Sequence, residues 1–366
     1  MKNKILKNME WAVLVCVLIL TVIGCIELFS VTKSSDYAEL KKQLLWFSIS
    51  IPIMIAIISI DYNVISKISP ILYIIMIGLL IGVLFTKPIN GATSWYVMGS
   101  VSFQPSEFAK ICVILSFALI ISKVQKNGRE QISRPLQLAK CLSVVIFPVL
   151  LIVIQPDYGT AIAFCIATTI ILLVAGIDKK YIISAVILAV IALPALYFFV
   201  LPNHAKTRID VFLNPNLDPR GSGYNVLQSK LAIGSGKFWG MGIQNGSQTQ
   251  LGYLYPQTTD FIFSAIGEEM GFIVAALVIG LYVVLVTKSL KIAKTAKDDL
   301  GSYIASGIAG IFLFHMLENI GMTMGLLPIT GVPLPFVSYG GSSLLTNFIL
   351  VGLLLNISGR RQKIMF

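Results

Sequence analysis

Long stretches of apolar residues, interrupted by short polar segments, dominate the chain. Ten such runs cover residues 12–32, 44–60, 69–86, 107–122, 140–154, 160–177, 181–201, 261–287, 303–322 and 343–358. A helix of about 20 apolar residues crosses the roughly 30 Å hydrocarbon core of a bilayer. The pattern therefore predicts an all-α polytopic membrane protein with about ten transmembrane helices.

The composition agrees with this pattern. Of the 366 residues, 56% are hydrophobic and 12% are charged, which excludes an ordinary soluble globular domain. The first run follows Lys2, Lys4 and Lys7, but it is too long for the apolar part of a signal peptide and lacks a small-residue cleavage site. We expect it to be the first span. Since no linker divides the chain, residues 1–366 are expected to form a single transmembrane domain.

The distribution of Lys and Arg predicts the orientation in the membrane. If the N-terminus is cytoplasmic, the loops on that side carry most of the basic residues. Membrane proteins concentrate Lys and Arg in their cytoplasmic loops. Both termini are therefore predicted to be cytoplasmic. The net charge of +11 is mostly this topological signal, because the basic residues are scattered over short loops instead of forming a nucleic-acid-binding surface.

A polar insert, residues 202–260, separates the seventh run from the eighth. It carries Arg208, Arg220, Lys230 and Lys237, and it ends at Asp260, the last charge before apolar sequence resumes. With both termini inside, the insert is a large extracellular loop before the eighth helix. A membrane anchor has little use for such a segment, whereas a site acting on a polar, lipid-linked substrate would need one.

Three segments next to apolar runs are rich in Pro, Gly and polar residues: 91–106, 155–160 and 328–343. The third has no charge and too many prolines and glycines to form a helix. Irregular backbone at membrane depth occurs only where protein or a water-filled cavity satisfies it. The region 323–342 is therefore expected either to re-enter the membrane and line a cavity or to lie on the outer surface.

Asp260 is the strongest candidate for chemistry. Asp favours the N-cap of a helix, and a helix is expected to begin here, so capping is one possible role. A carboxylate at this boundary is also partly desolvated, which raises its pKa toward the range of a general base. The spacing does not separate the two roles, and they can coexist. Glu268 follows by about two helical turns and would lie nearly beneath Asp260.

Other ionisable residues fall inside apolar runs, where they are costly and often functional. Glu107 and Lys110 are three residues apart on one helical face, so they form either an ion pair or a substrate contact. His315 and Glu318 are one turn apart, and a buried hydrogen bond between them is expected.

No residue is expected to ligate a metal. The five cysteines lie in or at the edge of apolar runs, and the two histidines, His204 and His315, are far apart in the chain. None of these residues has metal-ligand spacing. We expect the cysteines to pack within the helical bundle.

Several motifs occur in a characteristic order along nearly the whole chain. They are Gly91-Ala92 with Trp95, 104–110 (QPSEFAK), 155–160 (QPDYGT), 231–236 (LAIGSG), 259–263 (TDFIF), Gly267-Glu268-Glu269 and the 328–343 run. Together they resemble the shape, elongation, division and sporulation family of bacterial membrane glycosyltransferases, which includes RodA, FtsW and SpoVE. Segment 246–250 (GSQTQ) is most like the RodA branch.

The resemblance implies a peptidoglycan glycosyltransferase in the bacterial cytoplasmic membrane. Such an enzyme polymerises lipid II, the undecaprenyl-diphosphate-linked disaccharide-pentapeptide, at the outer face for cell-wall elongation and rod shape. It also implies ten spans and a class B penicillin-binding protein as obligate partner. The family's catalytic aspartate falls on Asp260, and its motif Glu and Lys fall on Glu107 and Lys110.

An inverting transfer of this kind needs one base and positive charge for the departing diphosphate. We assign the base to Asp260. The predicted substrate contacts are Glu107, Lys110, Arg208, Glu268, Ser338 and Ser342. Lys110, Arg208 or a divalent cation such as magnesium are the candidates for stabilising the diphosphate, and no other cofactor is expected.

The chain departs from the family pattern at two places. Where the family commonly has Leu-Pro-Glu before Thr-Asp, residues 254–258 read LYPQT, which puts a supporting carboxylate in doubt. Ser94 stands where Arg is common. The alternative function is a lipid II flippase, but that would need a polar path on both sides of the membrane. An ion-coupled transporter should show matched interruptions in two halves, and no convincing pair is seen.

Overall fold

The structure is a computed structural model that describes residues 6–88, 92–99, 101–199, 201–219 and 221–361. The motif residue Gly91 and the insert cation Arg220 lie outside this part. The helices are α1 (Trp11–Val31), α2 (Ala38–Ser59), α3 (Tyr62–Val83), α4 (Pro105–Val124), α5 (Pro135–Ile154), α6 (Tyr158–Ala175), α7 (Lys179–Phe199), α8 (Asn203–Leu213), α9 (Ser222–Ser235), α10 (Ser247–Gln250), α11 (Ile262–Glu269), α12 (Gly271–Lys294), α13 (Asp299–Thr323) and α14 (Gly341–Gly359). A short hairpin pairs β1 (Tyr96–Met98) with β2 (Val101–Phe103).

Within the described residues, nine helices are long and apolar enough to cross a membrane. They are α1, α2, α3, α5, α6, α7, α12, α13 and α14. The predicted all-α, multi-pass membrane fold is therefore confirmed. The remaining predicted run, 107–122, forms α4, which lies at the centre of the bundle and contacts α3, α5, α6, α13 and α14. Because most of α4 faces protein, it accommodates charged residues that lipid would not.

The predicted span 261–287 is two helices. The helix is interrupted between Glu269, where α11 ends, and Gly271, where α12 begins with a φ of +78°. A neighbouring segment crosses there, since a Cβ at position 271 would lie 2.3 Å from the backbone nitrogen of Gly240. The Met241 and Gly242 amides donate to the carbonyl oxygens of Glu268 and Glu269. Residues 240–242 of the insert therefore pack against the interruption between α11 and α12. The insert itself contains α8, α9 and α10.

The segment 328–343 is largely surrounded by protein, and its residues 328–340 form no helix or strand. Phe336 has a left-handed φ of +69° and is 2% exposed. Its ring packs between Phe312 and Phe348, with both ring centroids 5.6 Å away. A left-handed bulky residue costs of order 1–3 kcal/mol and persists only where its surroundings hold it. The Tyr282 hydroxyl also donates to the Pro335 carbonyl, so the segment is held from several helices.

Helix α1 supports this segment through a close backbone approach. A Cβ at Gly24 would lie 2.5 Å from the carbonyl oxygen of Val337 and 2.7 Å from its Cα. Both are backbone atoms of a buried residue, so they cannot swing aside. Only glycine allows this contact between α1 and the 328–343 segment.

We expect Gly24→Ala to lower the free energy of unfolding by about 1–3 kcal/mol, as overpacking typically does. Gly78→Ala is the matched control, because a Cβ at this glycine in α3 meets no atom within 4 Å. The alanine there should be neutral or slightly stabilising. Thermal unfolding in detergent measures both variants. Equal melting temperatures for the two would contradict the contact.

Candidate active site

Asp260 lies just before α11 and does not cap it. The N-cap of α11 is Phe261, and no side chain accepts a capping hydrogen bond there. The capping role that the sequence left open is therefore wrong. The carboxylate is not committed to the helix N-terminus, which leaves it available to a ligand.

Hydrogen bonds to three consecutive carbonyl oxygens, those of Thr258, Thr259 and Asp260, fix the backbone around Asp260 to neighbouring elements. Asn319 Nδ2, from α13, donates to the carbonyl oxygens of Asp260 at 3.0 Å and Val332 at 2.9 Å. Ser338 Oγ donates to the Thr259 carbonyl at 2.7 Å. The Tyr339 amide donates to the Thr258 carbonyl at 2.8 Å. The segments 258–260 and 328–343 are thus held side by side.

The carboxylate of Asp260 lies beside Gly331 of the 328–343 segment. A Cβ at Gly331 would lie 3.4 Å from Asp260 Oδ2, and Gly331 has none. Gly331 adopts a φ of +77°, a conformation that favours glycine. The missing side chain leaves space next to the carboxylate.

Burial sets the protonation behaviour of Asp260. Desolvation raises its pKa from the ordinary 3.8 to about 6, while a hydrogen bond with Thr259 and the positive charge of Arg208 act in the opposite direction. Desolvation disfavours the charged form of a carboxyl group. The group can therefore both ionise near neutral pH and take up a proton, as a general base must.

Arg208 reaches the site from α8 in the insert. Its Nη1 lies 3.4 Å from the Ile329 carbonyl and 3.3 Å from the Thr330 carbonyl, which are long contacts. Among the ion pairs of the described residues, none contains Arg208. A guanidinium close to Asp260 therefore keeps donor capacity for an anion.

Glu107 and Lys110 form a buried ion pair. Lys110 Nζ lies 2.9 Å from Glu107 Oε1, and their side chains are 0% and 2% exposed. His315 Nε2 is 3.3 Å from the same ammonium, and His315 Nδ1 is 3.0 Å from the Pro333 carbonyl. The pair is thus linked through His315 to the segment that faces Asp260. The geometry supports a positioning role more than a direct substrate contact.

The expected hydrogen bond between His315 and Glu318 is wrong. Glu318 Oε1 instead accepts from Thr330 Oγ1 at 2.8 Å. Both side chains project from α13 toward the 328–343 segment, where they meet different parts of it. Helix α13 therefore contacts this segment through His315 and, one turn later, through Glu318 and Asn319.

Glu268 is occupied by the chain itself. Its carboxylate accepts from the amides of Gln248 and Thr249 at 2.8 and 2.9 Å, and from Thr249 Oγ1 at 2.6 Å. Ser247 Oγ adds a contact at 3.3 Å. Glu268 is completely buried. The GSQTQ motif thus supplies the hydrogen-bond donors that hold the Glu268 carboxylate. These contacts do not support the predicted contact between Glu268 and the substrate.

The two predicted serine contacts are also used internally. Ser338 Oγ accepts from the Leu334 amide at 2.9 Å while donating to Thr259. Ser342 Oγ lies 3.4 Å from the Gln104 amide and 3.4 Å from the Ser102 carbonyl. Both serines are at most 5% exposed. They bring the 328–343 segment against the residues that surround Asp260 and α4.

Sequence reasoning missed Asn319 and Gln43. Gln43, from α2, donates to the Ser338 carbonyl at 3.1 Å and accepts from the Gly340 amide at 3.2 Å. Each is an isolated amide side chain in a membrane-spanning helix, where a polar group must find a partner. The sequence therefore shows that each of these amides needs a partner, but it does not show which backbone groups the amide binds.

Comparisons with known proteins identify the family of this chain. The family model for the cell cycle proteins FtsW, RodA and SpoVE matches residues 7–363. The chain belongs to the FtsW/RodA/SpoVE family. The family resemblance predicted from the sequence is thereby confirmed.

Curated relatives cover nearly the whole chain. The peptidoglycan glycosyltransferase MrdB of Escherichia coli K12 is 35% identical over 359 residues, covering 98% of this chain and 95% of MrdB. Stage V sporulation protein E of Bacillus subtilis is 37% identical over 358 residues, covering 94% and 95%. Because relatives from different branches are about equally similar, the RodA-like branch stays a prediction.

Two solved structures share the fold. A chain from a study of polymerization and crosslinking by a peptidoglycan synthase complex superposes with a TM-score of 0.82 at 25% identity, covering 97% of this chain and 99% of that chain. The rod shape determining protein RodA of Thermus thermophilus gives a TM-score of 0.72 at 25% identity, covering 97% and 98%. The FtsW/RodA/SpoVE fold thus extends over the entire bundle.

Proposed function

We propose that this family member is a peptidoglycan glycosyltransferase that polymerises lipid II at the outer face of the bacterial cytoplasmic membrane, with Asp260 as general base. The names of curated relatives, such as peptidoglycan glycosyltransferase MrdB, support the reaction class. One structural observation carries the residue assignment. The backbone of Asp260 is fixed by Asn319, whereas its carboxylate has a raised pKa and lies beside Gly331, which has no side chain.

The proposed step is a single displacement. Asp260 takes the proton of the acceptor sugar's 4-hydroxyl as the oxygen attacks the anomeric carbon of the donor. The new glycosidic bond forms while the bond from that carbon to the diphosphate oxygen breaks, and the electron pair leaves with the diphosphate. Inversion in one step needs no enzyme nucleophile. Since diphosphate is a good leaving group, no general acid is needed either, in contrast to glycoside hydrolysis.

Arg208 is the better candidate than Lys110 for stabilising the departing charge. Lys110 is completely buried and already paired with Glu107. Arg208 is partly exposed, lies close enough to affect the pKa of Asp260 and has weak backbone contacts. A preorganised cation aimed at developing negative charge is a large contribution to catalysis.

A divalent cation is the other candidate for stabilising the diphosphate. Among the described residues, no group of three or more His, Cys, Asp or Glu side chains is placed to hold a metal ion. Magnesium commonly binds through one or two carboxylates plus substrate phosphates. The proposed proton transfer does not require such an ion.

The membrane and a partner complete the proposal. Lipid anchors would hold both substrates at one depth, which lowers the entropic cost of bringing them together. This needs the insert outside and both termini in the cytoplasm, as the Lys and Arg distribution predicts. The related peptidoglycan synthase complex supports a cross-linking partner, which we assign to a class B penicillin-binding protein serving elongation and rod shape.

The pH dependence of polymerisation tests the base. Because the pKa of Asp260 is raised to about 6, kcat/KM should rise with pH below that value and level off above it. Arg208 lowers the pKa, so Arg208→Gln should move the rising limb to higher pH as well as slow the reaction. The measurement is initial glycan synthesis from lipid II between pH 4.5 and pH 8. If the rising limb of the pH profile stayed at the same pH in Arg208→Gln, the assignment of Asp260 as the base would be contradicted.

A further inference from the structure

Two exposed tyrosine rings lie in the insert shortly before Asp260. Tyr253 is 46% exposed and Tyr255 is 70% exposed, whereas Leu254 between them is 1% exposed. Within the described residues, neither tyrosine ring stacks on another aromatic ring, and neither hydroxyl has a hydrogen-bond partner. Internal packing therefore does not account for these two side chains.

The backbone that carries the tyrosines is held on both sides. The Tyr253 amide donates to the Gln248 carbonyl at 3.0 Å, and the Pro256 carbonyl accepts from the Phe261 amide at 3.2 Å. The buried Leu254 side chain anchors the segment between these two contacts. The rings are thus displayed from a fixed backbone, which lowers the entropic cost of binding a ligand on them.

The contact between Pro256 and Phe261 also places the tyrosines close to the proposed base. Pro256 directly follows Tyr255, and Phe261 directly follows Asp260. Standard bond lengths then keep the Cα atoms of Tyr255 and Asp260 within about 14 Å of each other. A chain of only a few sugar rings spans this distance.

The surrounding sequence suits a ligand without strong charge. Residues 241–259 contain no Asp, Glu, Lys, Arg or His. A phosphate group would need cations, and protein interfaces are enriched in Arg as well as in Tyr and Trp. A pyranose ring, in contrast, packs its C–H bonds against the electron-rich face of an aromatic ring. Two exposed tyrosines in an uncharged segment therefore favour a saccharide.

We propose that Tyr253 and Tyr255 form a binding surface for the glycan strand outside the catalytic centre. The sugar rings lie on the two tyrosine rings while the end of the strand reacts beside Asp260. This surface holds the strand between successive additions, and it therefore lengthens the polymer. The identity of the glycan rests on the proposed function, whereas saccharide binding does not depend on Asp260 acting as a base.

Binding of a soluble, peptide-free GlcNAc–MurNAc tetrasaccharide to the full chain and its partner in nanodiscs tests this surface directly. Tyr255→Ala should weaken binding by about tenfold, the loss expected for one aromatic contact. Tyr255→Phe keeps the ring and should bind nearly as the unmodified protein does. Phe85→Ala is the matched control, because Phe85 is an 86% exposed aromatic residue outside the insert. It should leave binding unchanged.

Product length and partner binding separate the explanations. With lipid II as substrate, the double variant Tyr253→Ala, Tyr255→Ala should make several-fold shorter strands on gels, because the strand dissociates more often before the next addition. Unchanged saccharide binding in Tyr255→Ala would overturn the proposed surface. Loss of affinity for the partner with saccharide binding retained would also overturn it and assign the rings to the partner. Asp260→Asn should still bind the tetrasaccharide, and polymer made by that variant would count against the proposed function alone.

Discussion

Replacing Asp260 by Asn is expected to reduce polymerisation of lipid II by about 10²–10⁴-fold, the usual contribution of a general base. Asn is nearly the same size but cannot accept the proton. The contacts that hold this part of the backbone use carbonyl oxygens, such as those of Thr259 and Asp260, and not the carboxylate. The variant should therefore fold normally and still bind its partner.

Glu318→Gln is the matched control for this loss of charge. Glu318 lies in α13 and accepts from Thr330, a contact that glutamine can retain through its amide oxygen. Polymer length and yield on gels, together with thermal unfolding, report both variants. A large loss in Asp260→Asn accompanied by a lower melting temperature or by loss of the partner would indicate a structural role instead.

Lys110→Met is expected to destabilise the protein by about 3–5 kcal/mol, because it leaves the Glu107 carboxylate buried without its partner. The pair is 2.9 Å apart and almost completely buried. Glu107 Oε2 already lacks a partner in the described structure, so no second donor is ready to replace the ammonium. Activity should fall along with stability, since His315 connects Lys110 to the segment beside Asp260.

Two comparisons isolate the buried pair. Adding Glu107→Gln to Lys110→Met removes the unpaired charge and should recover part of the lost stability. Lys41→Met breaks an exposed ion pair with Asp36 of the same 2.9 Å length and should cost less than about 1 kcal/mol. If Lys110→Met kept full stability and lost only polymerisation, Lys110 would act on the substrate directly.

Much of the fold could be predicted from the sequence because the membrane restricts the choices. Long apolar runs must be helices there, since every backbone polar group needs an internal partner. The sequence shows that Glu107 and Lys110 of α4 are unusual in an apolar run. Only the structure shows that they pair with each other and that His315 lies beside them. The break at Gly271 was missed because the apolar pattern continues through it, and only the crossing chain near Gly240 explains it.

The candidate site was harder to predict. The motif pattern drew attention to Asp260 and to the 328–343 segment, but it could not show that they lie side by side. Their contact depends on Asn319 and Ser338, whose partners are backbone carbonyls and carry no sequence signal. The same holds for Glu268, which the sequence predicts to contact the substrate but whose carboxylate accepts from the backbone amides of Gln248 and Thr249.

The most direct test of Asp260 as the base is a paired assay on one preparation of proteoliposomes containing the chain and its partner. Glycan synthesis from external lipid II and movement of lipid II across the bilayer are measured together for the unmodified protein and Asp260→Asn. The proposed mechanism predicts that the variant makes almost no glycan. Normal glycan synthesis by the variant would contradict it, and loss of lipid II movement with glycan synthesis retained would favour a flippase.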